Sequence, residues 1–76
     1  MAEIIKLISP CNRYRVYLEA DYSTERDNNA GYCQAKLEGY KIESYEFDTI
    51  EEQPDEDNPD LTWVTNEYVE LYGEVL

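Results

Sequence analysis

The chain has 76 residues, eighteen acids against six bases and no histidine, for a formal charge of −12. That size allows one domain near the lower limit for a single core, and the missing histidine removes the commonest proton shuttle. The charge opposes compaction and is repelled by an anionic membrane, while one Trp, one Phe and eight Tyr exclude an acidic disordered tail, which would be poor in aromatics.

No export signal is expected, because Ala2–Ile8 has a Lys inside a short apolar run and no small-residue cleavage site. No run approaches the roughly 20 apolar residues of a membrane span. A cytoplasmic protein is expected, in the host cytoplasm if the chain is viral.

Glu3–Ile8 (EIIKLI) reads as a first strand, ended by the turn Ser9-Pro10. Arg13–Tyr22 alternates. Tyr14, Val16, Leu18, Ala20 and Tyr22 fall on one face, with Arg13, Arg15, Glu19, Asp21 and Tyr17 on the other, as in a half-buried antiparallel strand. Ser23–Gly31 (STERDNNAG) reads as a loop.

Tyr32–Lys41 fits both a helix stopped by Gly39 and a strand. The strand is preferred, pairing back on Arg13–Tyr22. Ile42–Ile50 reads as a further strand, with Tyr45, Phe47 and Thr49 on one face and Glu46 and Asp48 on the other, followed by a loop over Glu51–Asp57. Asn58 suits a helix cap, Pro59 the first helical position and Asp60 the first turn. Leu61, Val64, Tyr68, Leu71, Tyr72 and Val75 then recur at helical spacing, with Gly73 as a stop, Glu67, Glu70 and Glu74 opposite, and Trp63 well off the stripe. The expected fold is α+β: a small antiparallel sheet of about three to four strands with a C-terminal helix packed on one face. An all-β antiparallel meander is the alternative, with residues 59–73 as a strand.

The charge is asymmetric. Residues 1–37 hold five acids and five bases, whereas residues 38–76 hold thirteen acids and the single Lys41. No catalytic residue is expected. Acid–base work needs two carboxyls in different environments, and neither Cys11 nor Cys33 has a histidine to activate it. Both thiols are expected free and buried, in preference to a disulfide. Neither a metal nor another cofactor is expected. Two isolated Cys and no His cannot build a structural zinc site, and Pro59 stands at the third ligand position of an EF-hand spacing through Asp55, Asp57 and Asp60. A Ca²⁺-responsive loop over residues 51–60 and a small structural or assembly protein remain alternatives.

The acids are better explained as a surface. Glu46 and Asp48 would project from one strand face, continued by Glu51, Glu52, Asp55, Glu56 and Asp57, with Glu67 and Glu70 on the helix and Tyr45 and Trp63 as apolar anchors. Tyr40 and an outward Tyr17 are further aromatic candidates. Rows of carboxylates on a rigid support can occupy a groove that Lys and Arg line to meet phosphates. No family motif is legible. In size and charge alone, the chain resembles the small acidic inhibitors that phages and mobile elements direct against DNA-binding defence enzymes, which commonly act by DNA mimicry, as antirestriction and some anti-CRISPR proteins do. The expected function is a non-enzymatic protein inhibitor whose partner is a basic nucleic-acid-binding protein, without direct nucleic-acid or membrane binding, and with a homodimer as the oligomer to consider.

Overall fold

The computed structural model describes residues 3–30, 33–47 and 60–76. Strand β1 (Ile4–Ile8) leads into β2 (Tyr14–Ala30) and β3 (Cys33–Phe47), followed by helix α1 (Asn66–Tyr72) and the two-residue strand β4 (Glu74–Val75). The described strands form one antiparallel sheet in the order β3-β2-β1-β4. An α+β architecture with an antiparallel sheet and a short C-terminal helix therefore stands.

The β1–β2 turn follows from its residues. Asn12 donates to the Ser9 carbonyl at 2.9 Å and adopts φ 65°, a left-handed conformation that asparagine tolerates. The buried Ser9 hydroxyl accepts from the Tyr14 N–H at 3.1 Å, closing the turn onto β2.

Alternation in β2 holds as far as the core requires it. Tyr14, Val16 and Leu18 are buried and pair with Phe47, Tyr45 and Ile42 of β3. Tyr22, expected inside, is 74% exposed. The register shifts between Ala20 and Glu25, so that four residues of β2 stand against Gly39 alone. Gly39 has φ 92°, and a Cβ there would lie 3.2 Å from the Tyr22 ring. Within the bulge, the Asp21 carboxylate accepts from both the N–H and the hydroxyl of Ser23 and meets the Arg26 guanidinium.

Three expectations are corrected here. Ser23–Ala30 is not a loop but the second half of β2, paired with Cys33–Glu38 from Glu25 onward. Residues 33–47 form one continuous strand rather than two, and its first half pairs with 25–30 instead of 13–22. The cause is the bulge, which restores side-chain parity after Ala20. Arg26 and Asn28 then face the same side as Leu37 and Ala35, which are 0% and 1% exposed. The bent arm is also tied to the body of the sheet, for the Asn28 Oδ1 accepts from the Ile42 N–H at 3.0 Å.

Helix α1 starts seven residues later than Pro59. Asp60 accepts from both the N–H and the hydroxyl of Thr62, Val64 donates to the Leu61 carbonyl, and the Trp63 indole donates to the Asp60 carbonyl at 2.8 Å. These local bonds satisfy backbone groups in a turn that competes with helix. Thr65 is the true N-cap, its hydroxyl accepting from the Tyr68 N–H at 3.1 Å. Gly73 ends the helix as expected, yet with φ −63°, so left-handed freedom is not the reason for it. A Cβ there would sit 2.8 Å from the Ile5 side chain and 2.5 Å from the Val69 carbonyl oxygen.

One core joins these elements: Ile5, Leu7, Val16, Leu18, Ala35, Leu37, Leu61, Val64 and Val69, with Tyr40, Ile42, Tyr45, Trp63 and Tyr68 packed against it. Leu61 and Val64 belong to it from the turn before the helix. Val69, absent from the expected stripe, is the buried helical residue, while Leu71, Tyr72 and Val75 are 75%, 63% and 58% exposed. The stripe has the wrong phase because it was continued through residues that are not helical. Cys11, expected buried, is exposed and free, its thiol 3.2 Å from the Ser9 hydroxyl, which with Arg13 holds its pKa below the ordinary value.

Candidate partner-binding surface

Glu46 lies on the open face of the sheet, and its surroundings decide what that face can do. Antiparallel partners share a face, so the register sets the rows outright. Arg15 stands beside Glu46 and Ile8, Tyr17 beside Ser44 and Lys6, and Glu19 beside Lys41 and Ile4. The Arg15 Nε is 3.6 Å from the Glu46 carboxylate, and Lys41 Nζ is 3.4 Å from Glu19. The Tyr17 hydroxyl donates to Glu46 at 2.7 Å, a bond that raises the Tyr17 pKa. This face is a mixed-charge lattice. Glu46 is thus tied to the sheet by Arg15 and Tyr17, with about half of its side chain still exposed.

Of the other expected contacts, Asp48, Glu51, Glu52, Asp55, Glu56 and Asp57 lie outside the described residues, as does the Ca²⁺ loop apart from Asp60. These six acids equal half of the formal charge, and no Lys or Arg follows Lys41 in the chain. Among the described residues, no group of three or more His, Cys, Asp or Glu is placed to hold a metal ion.

Helix α1 is different. Glu67 and Glu70 are exposed, and among the described residues neither makes an ion pair. Three residues apart, they are neighbours on the helix surface. Glu74, expected as the next rung, is not helical. It pairs with Lys6 in β4 and so turns to the open face. The negative charge of Glu70, with that of Glu3, reaches Tyr40, whose pKa is raised first by its burial and then by neighbouring Tyr22 and these two acids.

The two expected aromatic anchors are set back from the surface. Tyr45 and Trp63 are half-buried and packed on the core. Trp63 instead begins a row of rings. It meets Tyr68 edge-on with centroids 5.4 Å apart, and Tyr68 lies 4.6 Å from Tyr72. The Tyr68 hydroxyl donates to the Ile8 carbonyl at 2.7 Å, pinning the row to the end of β1, and partial burial raises its pKa. Tyr72 is the exposed end of that row. No protein-family model, curated protein or solved structure matches the chain.

Sequence reasoning missed Tyr72 as a surface group because it was placed on the core stripe. A signal was available in Thr65: a cap there starts the helix at Asn66 and changes which residues turn inward. No helix among the described residues is long and apolar enough to cross a membrane.

Proposed function

We propose that this chain is a non-enzymatic inhibitor or adaptor that binds a basic, nucleic-acid-binding protein through its acidic residues. A nuclease of a host defence system, of the kind antirestriction and anti-CRISPR proteins oppose, is the partner class that fits. The observation that carries the reading is the distribution of charge. Arg15, Lys41 and Arg26 answer Glu46, Glu19 and Asp21 of the sheet, whereas among the described residues Glu67 and Glu70 are exposed without ion pairs, and the run from Asp48 to Asp57 holds six acids and no base. A Lys- and Arg-lined groove gives such carboxylates what the chain itself withholds. Association driven this way is fast and screened by salt.

Competition tests it. Labelled duplex DNA bound to each of a panel of restriction and CRISPR nucleases is titrated with the protein, at low and at near-molar salt. Displacement that fades with salt is expected with at least one enzyme. If no enzyme releases its DNA at low salt, the inhibitor reading fails.

A further inference from the structure

The proposed acidic surface also contains an apolar feature on α1. Leu71 and Tyr72 end the helix, 75% and 63% exposed. Val75 pairs with Ile5, whose side chain is in the core that α1 covers, so Val75 turns to the helix side of the sheet and is 58% exposed. Three large exposed apolar side chains thus fall within five residues, at the corner where α1 gives way to β4, the last strand of the sheet among the described residues. Glu67 lies one turn before Leu71, and Glu70 directly precedes it in the chain.

Tyr72 is also held in place. Its ring rests on Tyr68, which is fixed by the Ile8 carbonyl and by the edge of Trp63. An aromatic ring already ordered before binding costs little to immobilise, which is what makes such residues strong anchors. A second copy does not suit this corner, since each chain carries −12 and would bring the same Glu67 and Glu70 against itself. An anionic membrane is excluded by the same sign of charge.

We infer that Tyr72, Leu71 and Val75 form an apolar anchor that docks in a hydrophobic pocket rimmed by Lys or Arg on a partner protein, with Glu67 and Glu70 facing the rim. This rests on the reading that the partner is cationic, and adds where it is gripped and that the grip is partly apolar. Electrostatic attraction speeds the encounter, and the anchor slows release.

The test separates the two claims. The ¹⁵N-labelled protein is titrated with two probes: an amphipathic helical peptide of Lys and Leu, and poly-lysine of equal charge. The Lys/Leu peptide is expected to shift the amides of residues 67–76, and Tyr72→Ala and Leu71→Gln, neither of which changes the charge, each to weaken it about tenfold while leaving poly-lysine binding unchanged. Leu71→Gln guards against a folding artefact, because this side chain is outside the core. Peptide bound with undiminished affinity by both variants would overturn the anchor and leave the charge reading standing. Neither probe binding at low salt would remove both. Shifts of the same amides on raising protein concentration alone would assign the corner to a second copy and overturn the proposal.

Discussion

The Asn66 side chain pairs with the backbone of Glu38 at two points. Its amide donates to the Glu38 carbonyl at 2.6 Å, and its carbonyl oxygen accepts from the Glu38 N–H at 3.0 Å. One side chain thereby imitates the ladder bonds of a neighbouring strand and ties the first residue of α1 to β3, just before the Gly39 bend. Asn66→Ala is expected to cost about 1–2 kcal/mol in urea unfolding, softened because the bonds are exposed to water. Asn66→Asp keeps the acceptor but sets a carboxylate against the Glu38 carbonyl, and is expected to cost at least as much. Wild-type stability in the aspartate variant would show that the donor half of the pair contributes nothing.

The phase of α1 is open to direct test. Val69 is 4% exposed and Leu71 75%. Val69→Ala is expected to destabilise by about 2 kcal/mol through lost burial and cavity, and Leu71→Ala to stay within about 0.5 kcal/mol of wild type. Chemical denaturation followed by circular dichroism measures both, and the reverse order would restore the stripe read from periodicity.

Gly39 is the pivot of the long hairpin. An alanine there would have to hold φ 92° and press on Tyr22. Gly39→Ala is expected to cost about 1 kcal/mol or more and to shift the Tyr22 ring resonances. A stable variant with unchanged Tyr22 signals would mean that the bulge forms without this bend.

Alkaline titration reads the Tyr17–Glu46 bond. The pKa values of Tyr17, Tyr40 and Tyr68 are all raised, by the Glu46 hydrogen bond for Tyr17 and chiefly by burial for the other two. Each group holds its proton more tightly folded than unfolded. The stability this contributes is complete below the unfolded value near 10 and is lost as pH rises through the folded values. Glu46→Gln is expected to bring one phenol's ionisation to lower pH by ultraviolet absorbance, and a coincident curve would argue that the bond is not populated.

Salt should stabilise the free protein. Its −12 repels itself, whereas the ion pairs that salt would weaken, such as Arg15–Glu46 and Lys41–Glu19, are partly exposed and worth little. A melting temperature about 5 °C higher in concentrated salt is expected, equivalent to roughly 1 kcal/mol for a domain of this size. A fall in melting temperature would mean that the pairs outweigh the repulsion.

Much of the sheet was legible locally. Ile4–Ile8 declares itself as a short β-branched run closed by Ser9-Pro10, and Tyr14–Leu18 by its alternation, and neither a local run nor a period of two needs distant information. The acid excess after residue 37 is likewise plain, as is Gly73 as a stop. Ser23–Ala30 was not legible as strand. Its residues are polar, and Arg26 and Asn28 take inward positions only because Leu37 and Ala35 across the ladder supply the apolar burial. The start of α1 was hidden for a related reason: Asn58-Pro59-Asp60 and Thr65 both look like caps, and the side-chain bonds of Asp60 to Thr62 favour a turn over the first of them. Which carboxylates are matched by bases was settled by strand register, since Arg15 and Glu46 are 31 positions apart and meet only through pairing. Composition and short-range periodicity thus determine that the chain folds and where its charge lies. Three-dimensional pairing decides which of those charges, and which apolar side chains, are left for another molecule.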